Sequence, residues 1–314
     1  MLTRRHIRIK VMQSLFAMKQ KESDQLDTEM KFLTNSMDQV FVLFVANLDL
    51  LVALRKHAEH ILMLTKAKRL ATESEKNPNY KFVNNALLQL LEKNKELEEV
   101  SDDLNVNYWH LDDEYVKLLY KDILESDIYE AYMEAEETNY KQDRNFVLDI
   151  FKQIIAPNDK LYDYYEDKKI SWVDDMPLVN TAIVAFLKKT KASSNEDLAL
   201  PKLVKDQDDI VFAKELFKKA KLHEDKLEEE LEGKTPNWDK ERIAIIDKLI
   251  IQLGICEFQK FPSIPVKVTI NEYLEIAKEY STPKSNVFIN GILDKLSKEY
   301  AENGMLNKIG RGLL

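Results

Sequence analysis

The chain has 314 residues, enough to bury a sizeable core in one large or two smaller domains, yet only 6 glycines and 8 prolines punctuate it. A β-rich fold needs turn residues about every 8–12 positions, so this scarcity excludes one and predicts an all-α protein. A formal net charge of −9 excludes a surface that is basic everywhere; any nucleic-acid site must be a local basic patch on an acidic body.

In chain order, Ile9, Met12, Leu15 and Phe16 set an apolar stripe on a first helix, with Arg5, Arg8 and Lys19 off it. No clean apolar stretch follows Arg4, Arg5, Arg8 and Lys10, so the opening is not expected to be a secretory signal. A second long helix is predicted from about Asp27 to Leu70. Its most apolar part, Val40 to Leu54, is interrupted by Asn47 and Asp49 and is too short for a membrane span, so a buried helix is expected. Lys66 to Tyr80 is polar, holds Asn77-Pro78 and reads as a linker. Further breaks are expected near Ser101 to Asn107, Ala156 to Asp159, Lys191 to Pro201 and Gly233 to Pro236.

An internal periodicity runs through the tryptophans. Phe146, Phe151, Leu161 and Trp172 match Phe212, Phe217, Leu227 and Trp238 at a constant shift of 66. Asp159-Lys160-Leu161 recurs as Asp225-Lys226-Leu227, and a weaker copy runs through Phe82, Leu87, Leu97 and Trp109. Each unit reads as an amphipathic helix, a turn and a Trp that opens the next helix. Stacked helical architectures show such periods, and chance matching in Lys/Glu-rich sequence is the competing account.

Residues able to carry chemistry are few. His57 and His60 share a helix face at i, i+3, but without a Cys or carboxylate set beside them no metal is expected. Asp112-Asp113-Glu114 and Asp174-Asp175 follow a Trp and suit the first turn of a helix, where the dipole favours negative charge. Gly-rich phosphate loops, nucleophile elbows and zinc signatures are absent, so neither enzyme activity nor a cofactor is expected. The single cysteine, Cys256, sits among Leu253, Ile255 and Phe258 and reads as core; with no disulfide framework a reducing cytosol fits. Arg4, Arg5, His6, Arg8 and Lys10 form the candidate RNA site, since guanidinium groups fork onto phosphates and stack on unpaired bases. A solvated basic terminus is the competing reading.

The stretch from Asp209 to Lys298 is the most informative. It holds Trp238, Ile243-Ala244-Ile245-Ile246-Asp247-Lys248 and Leu253-Gly254-Ile255-Cys256-Glu257-Phe258. Ile264-Pro265-Val266-Lys267-Val268-Thr269-Ile270-Asn271-Glu272 follows, then Leu274-Glu275-Ile276-Ala277-Lys278 and Phe288-Ile289-Asn290-Gly291-Ile292-Leu293-Asp294. This order and spacing resemble the NusB family of transcription antitermination factors, as does the opening Arg4-Arg5-His6-Ile7-Arg8 with Gln13 and Leu15-Phe16.

Read from the residues alone, Thr269-Ile270-Asn271-Glu272 fits a capping box, and Ile270, Leu274 and Ala277 form one apolar face. Ser281-Thr282-Pro283 is a second helix start, and Gly291 is expected to permit close helix packing. The expected core comprises Phe212, Phe217, Trp238, Ile245, Leu249, Leu253, Ile270, Leu274, Phe288 and Ile292.

The resemblance implies an all-α, NusB-like helical bundle enlarged by inserted helix-pair units. It divides the chain into a basic N-terminal helix region (1–35), a helical insertion (36–204) and a C-terminal NusB-like bundle (205–314). It implies a cytoplasmic RNA-binding factor that regulates transcription, pairing with the ribosomal protein NusE on single-stranded boxA-like RNA within the elongation complex during rRNA synthesis, with no membrane role. The N-terminal cluster would meet the RNA, as would Lys284, Asn286 and Phe288; Val287 stands where a basic residue often precedes the Phe. Glu257 would face NusE, and Gln252 replaces an Arg frequent at its position. A helical protein-interaction scaffold without RNA binding is the alternative, though it would not require arginines grouped at one terminus. A methyltransferase-fused form is not expected, because no cofactor-binding α/β domain follows Leu314.

Overall fold

The computed structural model describes residues 1–136, 139–194, 197–232 and 243–313. Trp238 and the expected break at Gly233 to Pro236 lie outside the described residues. Among those residues every regular element is a helix and there is no strand. Helix α1 spans Arg4–Gln20 and α2 Leu26–Lys66. There follow α3 (Glu73–Lys76), α4 (Ala86–Glu92), α5 (Lys95–Asp103), α6 (Tyr108–Leu111), α7 (Asp113–Leu124) and α8 (Asp127–Glu134). Next come α9 (Tyr140–Ile150), continued by one π-helical turn (Phe151–Ile155), α10 (Asp159–Lys168) and α11 (Ser171–Lys189). The remainder is α12 (Gln207–Leu222), α13 (Glu224–Glu232), α14 (Ile245–Lys260), α15 (Val266–Tyr280), α16 (Pro283–Glu302) and a 3₁₀ turn (Gly310–Leu313).

The chain divides into two compact units, one of Met1 with Asp38–Leu203 and one of Leu2–Met37 with Val204–Leu314. In the first, the apolar run of α2 is core: Val40, Leu43, Phe44, Val45, Ala46, Leu48, Leu50, Leu51 and Leu54 are all sealed from solvent. By length and composition α2 could cross a membrane, but 72% of its most apolar window is buried inside the protein. Asn47, which interrupts that run, donates from Nδ2 to the Leu43 carbonyl (2.9 Å), so its amide is carried without an outside partner. Two tryptophans dock on this helix in the same way. Trp109 Nε1 donates to the Ala46 carbonyl (2.7 Å) and Trp172 Nε1 to the Gln39 carbonyl (3.0 Å). The two acceptors lie on one face of α2, two turns apart.

In the second unit α1 packs against α12, α14 and α15, while α14, α15 and α16 pack on one another. Burial on α1 is unbroken from Ile7 to Met12, so it is a central helix and not the one-sided amphipathic helix its stripe suggested. The expected core residues Phe212, Phe217, Leu249, Leu253 and Ile292 are buried, whereas Ile245 is exposed and Ile270, Leu274 and Phe288 are half-buried. On α15 the buried face is Thr269, Tyr273, Ile276 and Ala277, rotated by one residue from the expected Ile270, Leu274 and Ala277. The expected role of Gly291 also fails: a Cβ there would meet nothing within 4 Å. The close approach is at Gly254, where a Cβ would lie 2.7 Å from Leu293 Cδ2. Helix α16 begins as read, with Thr282 Oγ1 accepting from the Ser285 N–H (3.1 Å) and Pro283 following the cap.

Candidate nucleic-acid interface

Helix α15 starts at Val266 with Pro265 as its cap, four residues earlier than the capping-box reading. That shift moves Thr269 and Glu272 off cap duty and frees both for side-chain work. Thr269 Oγ1 donates to Glu257 Oε1 (2.6 Å), and the Tyr273 hydroxyl approaches Glu257 Oε2 at 3.4 Å. Opposite them Arg8 closes a two-pronged fork on the same carboxylate, Nε to Oε2 and Nη2 to Oε1, both at 2.8 Å. The Arg8 side chain is 2% exposed and that of Glu257 is 0% exposed. Burial opposes the charge on Arg8, but the Glu257 carboxylate and its hydrogen bonds more than offset it and hold the guanidinium above its usual pKa. Burial, helped by the Glu257 charge, pushes the Tyr273 hydroxyl well above its usual range.

These placements correct two expectations. Arg8 and Glu257 were read as surface contacts for RNA and NusE, yet they face each other inside the bundle. Lys10 is buried as well. The reason is geometric: on a central helix the residues off an apolar stripe meet neighbours too, and an Arg there needs a carboxylate.

Arg4 and Arg5, a turn nearer the N-terminus, are 44% and 40% exposed. Arg4 Nε donates to Asp209 Oδ1 (3.0 Å), and its guanidinium lies 4.9 Å from the centre of the Phe212 ring. Arg5 forks onto Glu272 (3.1 and 2.9 Å), which raises its pKa from the ordinary value. His6 Nδ1 accepts from the Thr3 backbone N–H (3.1 Å), which puts the proton of the neutral ring on Nε2. Burial and the neighbouring Arg5 charge lower the His6 pKa.

Arg4, Arg5, His6 and Arg8 share a groove of about 680 Å³ with Ile264, Pro265, Val268, Glu272 and Arg311. Lys284, Asn286 and Phe288 do not line it. Lys284 is exposed, Asn286 Nδ2 donates to the Leu274 carbonyl (2.8 Å), and Val287 is well exposed. Gln252 belongs to a separate cavity of about 250 Å³ with Leu15, Met18, Lys221 and Glu224. Its Nε2 is buried with no hydrogen-bond partner among the described residues. Sequence reasoning missed Arg311, because nothing in the local pattern near Gly310 marks it as part of a site built by the N-terminus.

Among the described residues no group of three or more His, Cys, Asp or Glu could hold a metal. The NusB family profile matches residues 178–298, a NusB-like domain within the chain. Over 103 residues the chain is 40% identical to the transcription antitermination protein NusB of Salinibacter ruber, covering 33% of this chain and 64% of that protein. The proteins of the same name from Chloroherpeton thalassium (50% over 78 residues; 25% and 37%) and Myxococcus xanthus (37% over 93 residues; 30% and 66%) are similar too. The chain thus spans less than two thirds of each of these relatives. No solved structure matches it.

Proposed function

We propose that this protein is a cytoplasmic RNA-binding transcription antitermination factor, one that pairs with the ribosomal protein NusE on a boxA-like single-stranded RNA in the elongation complex during rRNA synthesis. The observation that carries the reading is the groove itself. Half-exposed Arg4 and Arg5 form one side of it, and Ile264, Pro265 and Val268, inside the family-matched segment, form the other. The Arg5–Glu272 pair is partly solvated, so solvent screens it and a phosphate can compete for the guanidinium. Arg4 keeps its half-exposed guanidinium on the buried Asp209 carboxylate and can meet a phosphate with its remaining N–H groups. Arg8 cannot exchange in this way; its role is to hold α1 against α14. Pairing with NusE is assigned to the Gln252 cavity, whose buried amide still has a hydrogen bond to give.

The test is titration with boxA-like RNA at several salt concentrations, with NusE present. If about three or four phosphates are neutralised, log K falls against log salt with a slope of roughly −2 to −3. Arg4→Gln with Arg5→Gln should weaken binding and flatten that slope while leaving the fold intact. Equal affinities for wild type and variant would overturn the RNA reading in favour of a helical interaction scaffold.

A further inference from the structure

The groove contains one guanidinium that the N-terminal cluster does not supply. After α16 the chain returns to the connector between α14 and α15, where the Ile309 N–H donates to the Pro262 carbonyl (3.0 Å). Lys308 Nζ donates to the Glu257 and Phe261 carbonyls (3.2 and 3.0 Å), caps the end of α14 and anchors the segment there. The Gly312 N–H closes a turn onto the Ile309 carbonyl (2.9 Å). Contact is so close that a Cβ on Gly312 would sit 1.9 Å from the Pro262 oxygen. A backbone atom cannot swing aside as a flexible side chain would, so only glycine fits.

This pinned turn sets Arg311 into the groove beside Arg4, Arg5, His6 and Arg8. Arg4, Arg5 and Arg8 each hold a carboxylate. Arg311 is exposed and, among the described residues, makes no ion pair or hydrogen bond. A cation held among other cations, in a groove whose carboxylate, Glu272, is already forked by Arg5, and with no ion pair of its own among the described residues, is poised for an anion brought from outside.

We infer that the 310–313 turn supplies Arg311 as a phosphate-binding residue of the groove, so that a single-stranded RNA backbone is held between this turn and the start of α1. The inference rests on the RNA reading above and names a contact that the N-terminal cluster alone does not provide. The bases would lie along Ile264, Pro265 and Val268, an apolar surface that single strands can cover without sequence readout. Arg311 adds strength and salt dependence and leaves base preference to other contacts.

The experiment titrates a short boxA-like single-stranded RNA against the full chain and its Arg311→Gln, Arg311→Lys and Gly312→Ala variants at several salt concentrations, with circular dichroism to verify the fold. Arg311→Gln should lose affinity several-fold, and its log–log salt slope should shrink by about 0.7, the value of one phosphate contact on a single strand. Arg311→Lys should keep that slope. Gly312→Ala should reproduce the loss although the arginine is intact, because the turn is pushed off Pro262. If Arg4→Gln with Arg5→Gln weakens binding while Arg311→Gln matches wild type in affinity and slope, this inference falls and the groove reading stands. No RNA binding by the wild-type protein would overturn both.

Discussion

The two units solve the same problem, polar groups inside a helical core, with different chemistry. In the unit that holds α1 and α12 to α16, a full ion pair is buried: Arg8 and Glu257, with Thr269 and Tyr273 on the remaining oxygen positions. In the unit of residues 38–203 the buried polar groups described form no sealed ion pair; neutral amides, hydroxyls and indoles serve beside the carboxylates Asp143 and Asp175. Trp109 and Trp172 donate to main-chain carbonyls of α2. The Tyr132 hydroxyl donates to Asp143 (2.7 Å) and receives from Asn85 Nδ2 (3.1 Å). One guanidinium is buried there too, that of Arg55, but its partners Glu59 and Glu92 keep 38% and 24% of their side-chain surface in water. A neutral hydrogen bond costs little to bury when both partners are present, whereas a sealed ion pair is tolerated only with every oxygen satisfied. The second unit therefore seals one complete arginine–carboxylate pair away from water, whereas the buried guanidinium of the first keeps partly solvated partners.

The largest expected effect follows from that sealed pair. Glu257→Lys or Arg8→Met should each destabilise the protein by about 3–5 kcal/mol, since either leaves a buried charge alone. Arg8→Met combined with Glu257→Leu should recover much of the loss in urea unfolding. A cost below about 1 kcal/mol for the single variants would show that the pair is not the pivot of this unit.

On the other side of the comparison, Trp109→Phe and Trp172→Phe keep an aromatic ring and remove one indole N–H. Each should cost about 0.5–1.5 kcal/mol, the net range for one lost hydrogen bond, because the helical carbonyl keeps its main-chain partner. Similar costs would support the two Trp units as copies of one device; a negligible cost at one position would separate them. The third, Trp238, lies outside the described residues.

Next in size are two glycine variants. Gly254→Ala should cost about 1 kcal/mol, because Leu293 must move for the new Cβ. Gly291→Ala, mid-helix and exposed with open space around it, should stabilise by about 0.5–1 kcal/mol. Melting temperatures that move in one direction for both would contradict the packing described here.

The smallest effect is that of His6. Its folded pKa lies below the ordinary value, so the folded state binds the proton less readily than the unfolded chain. The stability this contributes is complete above about pH 6.5 and is lost as pH falls through the lowered folded pKa. His6→Gln should therefore lose less stability than wild type between neutral pH and pH 5. Parallel pH profiles would remove His6 from the account.

Several features were readable from residue patterns. The all-helical class follows from scarce glycine and proline, the buried course of α2 from its apolar run, and the start of α16 from Thr282-Pro283. The family resemblance rested on ordered motifs that the profile match to residues 178–298 covers in large part. Local rules misled where a long-range partner outweighed them. Thr269 and Glu272 fit a capping box, but the helix begins earlier, after Pro265, and the two side chains serve Glu257 and Arg5, distant in sequence, instead. The buried face of α15 was misread by one position for the same reason, as Thr and Tyr count as polar in any periodicity.

Sequence by itself determined which segments are helical and which carry charge, because those depend on near neighbours and on composition. Only the tertiary structure decided which charges meet. It buried Arg8 while leaving Arg4 and Arg5 half in water, and it brought Arg311 from the far end of the chain to the same groove. Such pairings depend on contacts more than 200 residues apart, as between Arg8 and Glu257 (249 residues), and no local pattern encodes them. The physical reason is that an ion's free energy is set by what surrounds it in space, by water or by a carboxylate, and its neighbours along the chain contribute little to that.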